Sequence, residues 1–497
     1  MKAIDRILPI PLFNWLEMLN SKAGIIRPKL THPARQALKG ILLVILLVLI
    51  ITACQPNAPE NPALLPAPKV FSTVTSVPTM TPLPDSRLTV QEEALQGITV
   101  DVWHPWRGAE ASLFDQQVRD FNRINPWGIT VQSSGMQTYT ELFARVSPTV
   151  YGPDRPDVVI GLPEYALIWD EDDAVLDLSP YVGDPLYGLS DADISDFPAA
   201  FWAQDEVNGK RYGMPAQRTA RFILYNLTWA EELGFDAPPA NINEFRQQAC
   251  AGNKSKLADE SPQNDGTGGW LVDTHPMTAL SWLLASGGGV VEGDSFRFLT
   301  PENIEALRFV KGLSESGCAW KSSAEDPISK FADRSALFAT ASMEELPDVA
   351  RAFTLAENRD SWTILPFPGN SGSVFVIYGS SYIQFKSDDA DQLAAWLFIR
   401  WMLQADNQAK WVQSTGLFPL RASALNYLSD YSAGHPQWAL AASLIPQGRL
   451  MPQLPEWKTV RVMLGDGFNH MFRVEVPTGQ VPAILAQMDA IVSDLNE

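Results

Sequence analysis

Apolar and polar positions change their spacing repeatedly along the chain from Gly97 to Glu497. ITVDVW (98–103) alternates with period two and predicts a strand, and ITVQSS (129–134) predicts a second. Between them AEASLFDQQVRDFNRINP predicts a helix with Phe114, Val118, Phe121 and Ile124 on one face and Pro126 past its end. TYTELFARVSP (138–148) predicts the next helix. The unbroken apolar run Val158 to Ile160 in PDVVIGLPEY is the kind buried inside a parallel sheet. Strand and helix in alternation imply βαβ units, hence an α/β fold.

In open α/β sheets the loops after the carboxyl ends of the strands line the ligand crevice. That rule puts Trp103, His104 and Trp106 after the first strand, and Glu164 and Tyr165 after DVVIG, on one rim. Tryptophan more often packs a core, but here two flank a His-Pro turn where the chain is leaving a strand.

The residues before Gly97 have another character. Ile41 to Ile51 are all apolar, yet as a helix they cover only about 16 Å of a hydrocarbon layer about 30 Å thick. Lys22, Arg27, Lys29, Arg35 and Lys39 precede them, the order of an export signal. Ile51-Thr52-Ala53-Cys54 resembles the lipobox of bacterial lipoproteins, which implies cleavage before Cys54 and a lipid on its thiol. Residues 55 to about 86 are rich in Pro, Thr and Ser and read as a tether. The expectation is a signal over 1–53, a tether over 54–96, and an exported chain anchored by lipid to the outer face of the cell membrane.

The chain carries 37 Lys and Arg against 57 Asp and Glu. Residues 1–53 hold seven basic and two acidic side chains, so the remainder has 30 against 55, a net charge of −25. Such a surface repels nucleic acid and makes a polyanionic ligand a poor match. Beyond Cys54 only Cys250 and Cys318 remain. In an exported chain two cysteines suggest a disulfide, the alternative being two separate thiols.

Several stretches together are similar to the extracellular solute-binding proteins, family 1, of ABC importers, the group that includes maltodextrin-binding proteins. They are DVWHPWRGAE with FDQQVRDFNRINPWGITV, RPDVVIGLPE with AVLDLSPYV, GKRYGMPAQRTARFILYNLTWAEELGFDAPPANINEFRQQA, and QAKWVQSTGLFPLRASAL. The resemblance implies a type II periplasmic-binding-protein-like fold, two lobes each with a mainly parallel sheet flanked by helices. It puts chain crossings in PAQRTARFILYN, PGNSGSVFVIYGSSY and STGLFPLRAS. Lobe one is then 97–216 plus 378–416, and lobe two 217–377 plus 417–497. It further implies capture of a carbohydrate by lobe closure, delivery to permease subunits in the membrane, no cofactor, and a monomer.

Sugar recognition needs aromatic platforms for C–H faces and charged or amide groups for hydroxyl edges. With 16 tryptophans the chain has platforms to spare, and Trp103, Trp106 and Trp270 in GTGGW are the candidates nearest loops. Glu164, Arg218 on the first crossing and Arg421 after the third are candidate polar contacts, each equally suited to a structural ion pair. Tyr378, Ser380 and Ser381 surround Gly379 at the second crossing, where glycine lets backbone approach a ligand. Met343 and Glu344 follow the predicted strand SALFATAS, where relatives present ligand contacts, although the tryptophans common there are missing.

Catalytic patterns are weak. No two of His32, His104, His275, His435 and His470 lie three or four residues apart, and neither a Gly-x-Ser-x-Gly elbow nor a phosphate loop occurs. GGGVVEG (287–293) reads as a turn. The enzymatic rival is a secreted glycosidase, which needs only two carboxylates in an aromatic groove. Within binding, glycerol phosphate would want clustered basic residues, and a polyamine several carboxylates between aromatic walls.

Overall fold

The computed structural model describes residues 85–171, 173–322, 327–370 and 372–495. The signal, Cys54 and tether residues 55–84 lie outside the described residues, whereas 85–96, expected as tether, pack on the folded part: Leu95 is buried, and Ser86 Oγ and the Arg87 amide donate to Asp184 Oδ2 at 2.9 and 2.7 Å. Among the described residues no helix is long and apolar enough to cross a membrane.

The first elements follow the period changes closely: β1 (Thr99–His104), α1 (Gly108–Ile124), β2 (Thr130–Gly135), α2 (Tyr139–Val146), β3 (Val158–Gly161) and α3 (Pro163–Trp169). Phe114, Val118 and Phe121 of α1 are buried, but Ile124 is 55% exposed. Ile124, the last residue of the helix, stands about a quarter turn off the line through Phe114, Val118 and Phe121. After β4 (Met214–Pro215) come β5 (Thr219–Asn226), α4 (Ile242–Leu257), β6 (Gly268–Leu271), α5 (Pro276–Ala285), α6 (Pro301–Glu315), β7 (Ala319–Trp320), β8 (Ala336–Ser342), β9 (Trp362–Leu365) and β10 (Phe375–Tyr378). The chain then returns through β11 (Ser381–Gln384), α7 (Asp389–Met402) and α8 (Ala405–Thr415), and ends with β12 (Gly448–Arg449), α9 (Trp457–Met471) and α10 (Val481–Leu495). Asn241 caps α4, accepting hydrogen bonds from the Asn243 and Glu244 amides. The glycine-rich run 287–293 leads into a small hairpin in which Val291–Glu292 pairs with Ser295–Phe296.

The strands form two separate main sheets. Lobe one has the order β2-β1-β3-β11-β4, and lobe two the order β7-β6-β8-β5-β10-β12 with β9 also paired to β5. In each lobe three strands run parallel, β2, β1 and β3 in one and β7, β6 and β8 in the other. The next strand inward, β11 or β5, runs antiparallel to them. Those two antiparallel strands are where the chain has just changed lobes.

The first two crossings lie side by side as a two-stranded ribbon. β4 pairs with β11 in lobe one and β5 with β10 in lobe two, Tyr378 opposite Thr219 and Ser381 opposite Pro215. Between the pairs, the Ala216 and Gln217 amides both donate to Ser380 O, at 2.9 and 3.0 Å. The third crossing joins this ribbon through the Phe418 amide, 3.0 Å from Arg218 O. At the ribbon's centre Gly379 has φ 151°, and a Cβ there would stand 2.1 Å from Gln217 O, so a side chain would force the two crossings apart.

Cys250 on α4 and Cys318 just before β7 form a disulfide. The bond ties a helix of lobe two to the edge of its sheet. Closing a loop of this length stabilises the fold by about 4 kcal/mol in the chain-entropy picture.

Candidate ligand-binding site

The parallel strands of both lobes end at one cleft, and the segments after them line a cavity of about 520 Å³. From lobe one come Pro105 and Trp106 after β1, Glu110 in the first turn of α1, Tyr139 opening α2, and Leu162, Glu164 and Tyr165 after β3. Lobe two contributes His275 and Met277 at the start of α5, Glu344 after β8, and Arg461 of α9. The crossings supply Gln217, Thr219, Tyr378, Gly379 and Leu417 as the floor. The strand-end rule therefore holds in both lobes.

Trp106 is 4% exposed, and its ring packs against Trp411 with centroids 4.6 Å apart and against Phe114 at 5.0 Å. Its Nε1 is buried and has no hydrogen-bond partner among the described residues. The residue belongs to the cavity wall, and this donor is left unsatisfied by the described residues. Glu164 is similar in kind: the residue is 2% exposed and its Oε1 makes no hydrogen bond. Burial raises its carboxyl above the usual range, opposed by the charges of Arg461 and Lys458. Burial likewise pushes the Tyr165 phenol up to about 12.

The floor is a hydrogen-bonded set. Gln217 Nε2 donates to Glu110 Oε1 at 2.9 Å, and Thr219 Oγ1 donates to Glu344 Oε2 at 2.6 Å. Burial raises the Glu110 carboxyl, the bond from Gln217 opposes the rise, and the charge of Glu344 adds to it. The phenols of Tyr139 and Tyr378 are pushed up by burial in the same region. Behind Tyr378, Arg221 Nε lies 2.9 Å from Asp273 Oδ2 and its Nη1 lies 3.5 Å from Glu345 Oε2. His275 Nδ1 accepts the Met277 amide at 3.2 Å, which in the neutral ring leaves the proton on Nε2. Burial, and then the nearby Arg221, lower its pKa to about 4.

Of the expected contacts, Trp106, Glu164, Tyr165, Glu344 and Tyr378 line this cavity. Others do not. Trp270 is wholly buried in the core of lobe two, its ring 5.5 Å from that of Trp282 and 6.3 Å from that of Phe245. It lies within β6 rather than after it, because Gly269 lets the neighbouring chain close to where a Cβ would stand 2.0 Å from Cys318 O. Arg218 is fully buried, with Nη2 2.6 Å from Asp205 Oδ2 and Nη1 donating to Ser380 O at 2.6 Å. Ser381 Oγ donates to the same Asp205, so Ser380, Ser381 and Arg218 brace the crossings from behind. Arg421 reaches back to lobe one, its Nε 2.7 Å from Asp196 Oδ2 and its Nη2 paired with Asp193. His104 is buried under Trp106, accepting its amide at Nδ1 at 3.2 Å, and Trp103 is half-buried against the small core around Leu142 and Val159.

Glu110, Tyr139, Gln217, His275 and Arg461 were not expected. Tyr139 and His275 follow parallel strands and were within reach of the strand-end rule. Nothing in the sequence points to Arg461, which arrives from the far end of the chain. Among the described residues no group of three His, Cys, Asp or Glu is gathered so as to hold a metal ion.

Two α/β lobes, a hinge of crossing strands and a cavity between them define a two-lobed solute-binding protein. Residues 116–440 match the family described as bacterial extracellular solute-binding protein, and the chain belongs to that family. A putative binding protein of Brucella abortus is 24% identical over 324 residues, 63% of this chain and 75% of that one. Similar solved structures include the sugar-binding protein MalE from Xanthomonas citri, at 20% identity and TM-score 0.67, covering 80% of this chain and 98% of that chain. The cyclic alpha-maltosyl-1,6-maltose binding protein from Arthrobacter globiformis gives 20%, 0.66, 80% and 99%. UgpB from Mycobacterium tuberculosis, solved with glycerophosphocholine, gives 19%, 0.64, 80% and 99%. At these identities the likeness is one of fold.

Proposed function

We propose that the chain captures a carbohydrate between its lobes and hands it to an ABC importer, working as a monomer held to the outer face of the membrane by a lipid on Cys54. The observation that carries this reading is the cavity itself: Trp106, Tyr139, Tyr165 and Tyr378 wall a space of about 520 Å³ whose polar groups include Trp106 Nε1, without a hydrogen-bond partner among the described residues, and the Glu164 carboxylate, paired with Arg461. Aromatic walls suit the C–H faces of a pyranose, and the indole donor with the carboxylates of Glu110 and Glu344 suits its hydroxyls. Several sugar-binding neighbours share the fold, which favours the same class. A phosphate ester fits less well, because among the described residues Arg107 and Arg461 are the only lysines or arginines on the wall and Arg461 already faces Glu164.

Both walls come from one chain, so capture needs no second copy. Closure follows if the solute touches both lobes at once, since contacts available only in the closed form bias the hinge toward it. Full-chain protein in detergent, screened by thermal shift against mono- and oligosaccharides, should show a raised melting temperature with one sugar class, accompanied by a smaller radius of gyration. Binding with no compaction would defeat the closure mechanism, and appearance of hydrolysis products would favour the glycosidase rival.

A further inference from the structure

Glu110 belongs to lobe one and Glu344 to lobe two, yet both are fixed to the same short piece of chain. Their partners Gln217 and Thr219 are two residues apart, so the anchoring Cα atoms are at most about 7 Å from each other. In extended chain such residues also point to the same side. The two carboxylates therefore meet over the floor of one cavity.

Neither is neutralised by the protein. Each spends one oxygen on a neutral donor, and Glu110 Oε2 and Glu344 Oε1 receive no hydrogen bond from the described residues. Among the described residues neither carboxylate forms an ion pair: Arg221 engages Asp273 and Glu345, Arg461 faces Glu164, and Arg107 on the same wall pairs with neither. Burial first, and then the facing charge of Glu344, hold the Glu110 carboxyl above its ordinary range, against the bond from Gln217. A second, independent feature also asks for a ligand: Trp106, 4% exposed and on the same wall, has an Nε1 with no hydrogen-bond partner among the described residues. With no metal-holding group among the described residues, an organic cation is the counterion that fits.

We propose that the captured solute is an amino sugar, its protonated amine seated between Glu110 and Glu344 and its hydroxyls meeting Glu164 and Trp106. The inference rests on the carbohydrate reading and narrows it. Aromatic walls add attraction for the cation, and because the two carboxylates sit on opposite lobes, the amine draws the lobes together.

The test is calorimetry on the full chain in detergent with three probes of matched size: a glucosamine disaccharide, its N-acetylated counterpart, and maltose. The glucosamine disaccharide should bind at least tenfold more tightly than either neutral probe near pH 7, and the preference should disappear at alkaline pH as the amine loses its proton. Glu110→Gln and Glu344→Gln should each remove most of the preference, with melting temperatures in the absence of ligand no lower than that of the unaltered chain confirming that the chains fold. If a variant does not fold, the alkaline loss of preference in the unaltered chain decides. Equal or tighter binding of a neutral probe overturns the amino-sugar inference and leaves the carbohydrate reading standing. Binding of spermidine with no binding of any sugar overturns both, as does the absence of any binding.

Discussion

Arg461 Nε lies 3.4 Å from Glu164 Oε1 across the cleft, one on α9 of lobe two and the other on α3 of lobe one, and neither atom makes a hydrogen bond. One turn earlier on α9, the Lys458 ammonium sits 4.4 Å from the centre of the Phe143 ring on α2. This rim is thus a contact between lobes made by a charge pair that lacks full hydrogen bonding. Arg461→Met should leave Glu164 buried without its cation, separate the lobes in the free protein, and weaken ligand binding about tenfold, or about 1.4 kcal/mol. Small-angle scattering and calorimetry would check it. An unchanged radius of gyration with unchanged affinity would rule out a role in closure.

How far the sequence reached depended on the range of the information needed. Strand and helix periods are local, so β1, α1, β2, α2 and β3 were all legible, and so was the rim that carries Trp106, Glu164 and Tyr165. Trp270 misled because GTGGW looks like a loop, whereas its glycines permit a close strand contact that drives the indole into the core. Arg218 and Arg421 were open between two roles because a charge does not announce its partner. Asp205 and Asp193 settle the matter in space, the latter 228 residues before Arg421. Arg461 could not be found by any local rule, since it reaches the cavity only after the chain has crossed between lobes three times.

Gly379 makes a sharper case at the hinge. With φ 151° and a Cβ position 2.1 Å from Gln217 O, alanine there must shift the residue that holds Glu110. Gly379→Ala should cost about 1–3 kcal/mol of stability from backbone strain and weaken ligand binding together. Denaturant unfolding and calorimetry on the same preparation read both. Full stability with full affinity would show that the crossings have more room than their spacing indicates.

Arg218 tests the opposite kind of residue, one that was a candidate contact and is part of the frame. Its guanidinium and Asp205 are buried together, with side-chain exposures of 0% and 1%. Arg218→Met strands the carboxylate and should destabilise the chain by about 3–5 kcal/mol. Adding Asp205→Asn to that chain removes the stranded charge and should recover part of the loss. Urea midpoints for the two variants would check it, and equal losses in both would mean that the stranded charge is not the cause.

Acid stability should be set in part by His275 and His104. Each has its pKa lowered to about 4, first by burial, so the folded chain holds both rings neutral while the unfolded chain protonates them near 6.5. Their contribution is therefore present above about pH 6.5 and is lost as pH falls toward 4, by at most about 3 kcal/mol each. Glu110 and Glu164 act in the other direction. Their carboxyls are raised, so protonation on acidification relieves a cost the folded state bears at neutral pH. For His275 the surrounding charges are Arg221, Asp273, Glu345 and Arg461, and protonating Nδ1 also removes the acceptor for the Met277 amide at the start of α5. His275→Asn keeps a capping acceptor but cannot titrate in this range. Between pH 7 and pH 5 its melting temperature should fall less than that of the unaltered chain. Two curves that run parallel over that interval would show that some other group takes up the proton.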